Sequence, residues 1–128
     1  MAIIDSNFNI ETNRGSMLTL NIKTQNKTDG TPYIFKLGDV IRFRIMEKGK
    51  CENVVLQKDV QVSEEGENVP LTIPSEEMKI GSIISKPVEY WYEVELNPDT
   101  SSAVTILGYT KAGGARILTL TPEGGDKK

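Results

Sequence analysis

Histidine is absent from this sequence of 128 residues. Its absence removes the commonest general base, the commonest zinc ligand and every Ser-His-Asp or Cys-His arrangement. Cysteine occurs once, at Cys51, so no intramolecular disulfide can form and the core must hold the fold. That usage suits a reducing compartment. No apolar run approaches the ~20 residues of a membrane-spanning helix. The opening Met1-Ala2-Ile3-Ile4-Asp5-Ser6 lacks the basic region of a secretory signal, so neither secretion nor a membrane is expected. Lys/Arg-rich runs are missing too, and the net charge is -3, which argues against a nucleic-acid partner.

What the chain does have is alternation. In Val88-Glu89-Tyr90-Trp91-Tyr92-Glu93-Val94-Glu95-Leu96, Val88, Tyr90, Tyr92, Val94 and Leu96 fall on one side and Glu89, Trp91, Glu93 and Glu95 on the other. Period-two alternation with β-branched and aromatic residues marks a half-buried antiparallel strand. The same pattern recurs at Leu18, Leu20 and Ile22, at Ile41, Phe43 and Ile45, and at Val69, Leu71 and Ile73. It appears again around Val104 and Ile106 and across Ile117 to Thr121, while Phe8 to Thr12 and Tyr33 to Leu37 read as short extended pieces. Val54, Leu56, Val60 and Val62 share one parity, but Lys58 interrupts them, so that strand is expected to be twisted, bulged or at an edge.

Asn13-Arg14-Gly15, Asp29-Gly30, Lys48-Gly49-Lys50, Asn97-Pro98-Asp99 and Gly113-Gly114 supply turns. Pro74 to Gly81 is the one helical-looking piece, with Ser75 as a cap and Gly81 to close it. The expectation is an all-β antiparallel β-sandwich of about seven to nine strands with one short helical turn. A single domain over residues 1–121 and a flexible polar C-terminal tail over 122–128 complete it.

Few residues carry chemistry. Glu89, Glu93 and Glu95 put three carboxylates on one strand face. Oxygen ligands suit a hard cation, but same-face residues of a strand stand about 6.6 Å apart, too far for one ion to bind successive members easily. The competing reading is a solvated face paired with Arg42, Arg44 or a lysine. No metal or cofactor is expected. Trp91, with Tyr33 and Tyr109, is the candidate for ligand or partner contact, as a stacking platform for a sugar or a partner anchor. Packing under a loop or in a second small core explains Trp91 equally well. Gly108 to Arg116 has glycines and two cations but not P-loop spacing, and reads as a hairpin turn. Cys51 beside Lys50 has no histidine or second cysteine to make it a nucleophile. Asn26-Lys27-Thr28 matches a glycosylation sequon and reads as loop. No catalytic set emerges, and the chain is not expected to be an enzyme.

The order of landmarks is more specific than any one of them. Arg14-Gly15 precedes the Leu18 to Ile22 strand. Asp29-Gly30-Thr31-Pro32-Tyr33 leads to Leu37-Gly38-Asp39-Val40 and then Ile41 to Ile45. Val69 to Ile73, Ser75 to Gly81, Tyr90 to Leu96 and Val104 to Gly108 follow. This series resembles the small immunoglobulin-like β-sandwich module of tailed phages and prophages, close to the N-terminal domain of baseplate upper proteins. The likeness covers about residues 9 to 122 and departs from the family where the Arg14-Gly15 step is followed by Ser16 and not by an acidic residue. It implies an immunoglobulin-like fold and a structural or assembly role in a particle, in the tail, the baseplate or as a free-standing virion accessory protein. Other phage structural proteins or further copies of the chain would be the partners. The protein would be made in the bacterial cytoplasm and then join the virion. The family carries no catalytic residues. A carbohydrate- or cell-surface-binding sandwich built around Trp91 is the alternative function.

Overall fold

The computed structural model describes residues 3–4, 8–25, 30–82, 84–101, 103–107 and 116–122, with backbone alone at 3, 4, 51 and 107. Among the described residues, nine strands follow one another: β1 (Ile3–Ile4), β2 (Ile10–Asn13), β3 (Leu18–Ile22), β4 (Val40–Glu47), β5 (Lys50–Gln61), β6 (Val69–Ile73), β7 (Val88–Leu96), β8 (Val104–Leu107) and β9 (Arg116–Thr121). A 3₁₀ turn, Ser75–Met78, stands between β6 and β7. The tail after residue 122 and the Gly113-Gly114 turn lie outside the described residues.

Seven strands form one sheet in the order β1-β2-β9-β7-β4-β5, with β8 also beside β7, and β3 and β6 form the second. β4 covers one edge of β7 along its length. The other edge is divided: β9 opposes Val88 to Tyr92 and β8 opposes Val94 to Leu96. β2 runs parallel to β9, whereas the other strand pairs are antiparallel. β3 and β6 leave the large sheet to form the facing one, which makes the fold an all-β, sandwich-like one.

Alternation decides which faces meet. Ile41, Phe43 and Ile45 of β4 and Tyr92, Val94 and Leu96 of β7 are buried against Leu18, Leu20, Ile22, Leu71 and Ile73 of the small sheet. Each such side chain contributes about 1.5–3 kcal/mol when withdrawn from water. Phe43 and Tyr92 lie side by side with ring centroids 5.6 Å apart. The short extended piece at Tyr33 to Leu37 forms one isolated bridge, Phe35 to Gly66, and Pro32 just before it forms another with Gln25.

Two local expectations change. Ser75 does not cap the 3₁₀ turn: Pro74 occupies the cap position, no side-chain bond closes it, and the Ser75 hydroxyl turns to Glu76. The four-residue turn is held from outside, by contacts described below. In β5, Val54 does not share a face with Leu56. The register slips between Ile45 and Met46, so Leu56 opposes inward Ile45 while Val54 opposes outward Met46. β5 is an edge strand, as Lys58 implies, and Lys58 opposes Phe43 on the inner face and reaches out to Glu77, 3.7 Å away. An inward lysine and a bulge both discourage pairing with another chain.

Candidate functional site

The outer face of the large sheet is a charged ladder. Arg44 of β4 lies directly opposite Glu93 of β7 and pairs with Glu93 and, at 3.0 Å, with Glu95. Lys48 reaches Glu89 at 2.7 Å. Arg42 grips Asp59 of β5 through Nε (3.0 Å) and Nη2 (3.1 Å), and its Nη1 meets Asp99 at 3.0 Å. Hydrogen bonding to Asp59, reinforced by Asp99, holds the Arg42 guanidinium above its ordinary pKa. The three carboxylates of β7 therefore serve cross-strand pairing with arginine and lysine. Among the described residues, no group of three or more acidic, histidine or cysteine side chains is placed to hold a metal ion.

Trp91 stands on this face between Met46 on one neighbouring strand and Ile117 on the other. Met46 points away from the inter-sheet core, yet it is only 3% exposed. Trp91 itself is half-buried. The outer face thus has a small apolar patch in which tryptophan packs beside methionine.

Tyr33 lies elsewhere. Its ring meets Phe35 edge-on, centroids 5.1 Å apart, and packs against the inter-sheet core. Its hydroxyl donates to Asp39 at 2.8 Å. The second oxygen of Asp39 accepts from the Asn97 amide at 3.2 Å, and the Lys36 backbone N–H adds a bond of 2.9 Å to the first. Burial opposes the charge on Asp39, but the Lys36 amide, Asn97 and Tyr33 outweigh it and hold the carboxyl below its usual range. The Tyr33 phenol moves the other way, raised by burial and by the neighbouring carboxylate. Asn97, at φ 50°, also accepts from the Val40 amide at 2.9 Å, so one side chain ties the end of β7 to the start of β4. Asparagine suits this left-handed position.

Trp91 and Tyr33 are therefore on opposite sides of the large sheet and form no common site. Tyr109, the sequon at Asn26 and the side chain of Cys51 lie outside the described residues.

Sequence reasoning missed two features. The first is Arg14, buried at 7% exposure. It donates from Nε to the Ile80 carbonyl (2.9 Å) and from Nη2 to the carbonyls of Lys79 (3.1 Å) and Gly81 (2.6 Å). Gly15 adds a backbone bond to Met78. The turn after β2 thus clamps the carbonyls that follow the 3₁₀ turn, at the end opposite Ser75. The second is a cleft of about 990 Å³ between the sheets, bounded by Leu20 and Ile22 of β3, by Tyr92 and Val94 of β7, and by Val104 and Ile106 of β8. Phe8 sits at its mouth, half exposed and at φ 63°, its carbonyl accepting the Tyr92 hydroxyl. A bulky residue in that conformation is strained. Alternation shows which residues point inward; it carries no measure of how closely two inward faces meet.

No protein-family model, curated protein or solved structure matches the chain. Among the described residues, no helix is long and apolar enough to cross a membrane.

Proposed function

We propose that this chain is a non-enzymatic structural protein of a phage or prophage particle, associated with its tail or baseplate or carried as an accessory, and acting through protein–protein contacts. One observation carries the reading. The landmarks behind the family resemblance are separated in sequence but are one another's partners in space. Arg14-Gly15 grips Met78 to Gly81, and Tyr33 is bonded to Asp39. Scattered residues of weak individual meaning gain weight when they form the braces of one framework. Surfaces rather than reactive groups would do the work, since the chain has no histidine and the outer carboxylates of β7 are engaged in ion pairs. Mass spectrometry of particles purified from an induced host tests the reading. The chain is expected among the virion proteins at a fixed ratio to known structural components. Its absence from purified particles would overturn the assignment.

A further inference from the structure

The charged ladder of the large sheet is laid out in columns. Arg42 and Arg44 of β4, with Lys48 just beyond it, make a cationic column. Glu89, Glu93 and Glu95 of β7 make an anionic one beside it. Each cation has a carboxylate at its own level. Arg42 opposes Glu95, Arg44 opposes Glu93, and Lys48 reaches Glu89. Across the middle of the columns runs an apolar row. Val54 opposes Met46, Met46 opposes Trp91 and Trp91 opposes Ile117, so the row crosses β5, β4, β7 and β9.

The face is flat as well as patterned. Its paired side chains lie along the sheet rather than standing off it: that of Arg44 is 28% exposed, that of Glu93 23% and that of Glu95 21%. Val54, at one end of the apolar row, is 40% exposed. A flat face of this kind can pack on another sheet, and charge decides which. With a cation for each carboxylate of β7, the face matches neither a uniformly acidic nor a uniformly basic surface. It does match itself, in one orientation. A half-turn about an axis parallel to the strands, set between β4 and β7, lays a second copy face down on the first. Levels along the strands are kept and the columns exchange places. Arg44 then faces the partner's Glu93, Arg42 the partner's Glu95 and Lys48 the partner's Glu89. Met46 faces the partner's Trp91, and Val54 the partner's Ile117. A half-turn about the other axis in the plane, across the strands, would set β4 on β4 and cation on cation.

We infer that the outer face of the large sheet is a self-association surface, joining two copies of this chain face to face about a two-fold axis parallel to β4 and β7. The same residues serve both sides, as closed two-fold symmetry requires. Each carboxylate of β7 gains a second cation while keeping its own, and the apolar row leaves water. Charge complementarity sets the orientation more than the strength. Stacked sheets cross at about 30°, so the levels of Arg44 and Met46 stay in register and the outer levels rely on the reach of long side chains. Four strands and the levels 42 to 48 span about 20 Å in each direction, so the pair buries on the order of 1,000 Å². That area is at the low end for specific complexes and fits a weak dimer, half-formed near about 0.1 mM. The strand edge on that side offers no rival contact, since Lys58 and the bulge blunt β5. The dimer does not depend on the particle setting.

The test is sedimentation of the full chain from about 10 µM to about 1 mM, with amide resonances followed over the same range. The mass is expected to rise toward that of two chains, with shifts centred on Arg44, Met46, Trp91 and Glu93. Two variants then probe the orientation. Arg44→Glu brings like charge onto the partner's Glu93 at both symmetric contacts, and Glu93→Lys brings like charge onto the partner's Arg44. Each variant alone should associate about tenfold or more weakly than the parent. An equimolar mixture restores opposite charges at both contacts and should associate about tenfold or more tightly than either variant alone. Val54→Arg, at an exposed position, should also weaken association about tenfold, and it decides the matter if circular dichroism shows either charge variant unfolded. A monomeric mass throughout the range, or shifts confined to other faces, would overturn the proposal. So would a mixture no tighter than its components, or a Val54→Arg chain that associates like the parent.

Discussion

Replacing Arg14 should be the most damaging single polar substitution in the described fold. The guanidinium donates to three carbonyls, those of Lys79, Ile80 and Gly81. Lys79 and Gly81 are exposed residues, so water can replace the arginine there. Ile80 is 6% exposed, and its carbonyl would lose its donor in a dry site. Leaving a buried acceptor unsatisfied costs about 1–3 kcal/mol. Loss of the charge-assisted bonds to the two wetter carbonyls adds about 1 kcal/mol after rehydration. Arg14→Met keeps the apolar stem and removes the fork, so it should cost roughly 2–4 kcal/mol. Arg14→Lys keeps the charge but offers one point where the fork served three acceptors, and should recover about half of that loss. For a chain of this size, 3 kcal/mol lowers the melting temperature by about 10–15 °C. Urea unfolding followed by circular dichroism and by Trp91 fluorescence measures the effect. An unchanged m-value would place the loss in the native fold. A cost below about 0.5 kcal/mol for Arg14→Met, the range of an ordinary surface change, would refute the clamp.

Three further outcomes are expected. Asp39 is held below its usual pKa, so its contribution is complete above the unfolded value of about 3.9 and fades as pH falls through the folded one; Asp39→Asn should flatten the acid limb of stability against pH. The Tyr33 phenol is raised, so its contribution is complete below about pH 10 and fades as pH rises through the folded value; Tyr33→Phe should flatten the alkaline limb and cost about 1 kcal/mol at neutral pH. Arg44→Ala strands Glu93 and Glu95 side by side and should cost about 1–2 kcal/mol, a loss that 1 M salt reduces by screening, as denaturation at two ionic strengths would reveal. Trp91→Ala and Met46→Ala should each destabilise by about 1–3 kcal/mol, with a double-mutant coupling of about 0.5–1.5 kcal/mol if the two side chains pack as described.

Periodicity carried the large features. The strands around Leu20, Phe43, Leu71 and Val94 show the faces that alternation assigns them, because each has one wet and one dry side. It failed at Val54, where one slipped register changes the face of a residue without altering the pattern that precedes it. Ser75 had the residue type of a cap, but Pro74 takes the cap position; the carbonyls beyond the other end of the turn are held from a distance, by Arg14 across 66 residues to Ile80, and no local signal carries that. The paired state of Glu93 and Glu95 was legible as an alternative, since Arg42 and Arg44 alternate on a strand of similar pattern. Tyr33 and Trp91 could not be separated in advance: their relation depends on which sheet and which face each occupies, and no local signal carries that. The cleft was invisible for the same reason, since it depends on how β3, β7 and β8 sit against one another.

The parallel contact between β2 and β9 has a mechanical consequence. Ile10 to Asn13 lie beside Leu118 to Thr121 in register, and the Asn13 amide bridges to the Thr121 hydroxyl at 2.8 Å and the Pro122 carbonyl at 2.9 Å. In a parallel pair, the chain enters one strand and leaves the other at opposite ends. Tension between the segments before β2 and after β9 therefore slides the strands along each other. Their bonds share that shear together, whereas an antiparallel hairpin pulled from its open end gives way one rung at a time. The pair is in effect a clasp between the two ends of the sandwich, suited to a molecule that is pulled.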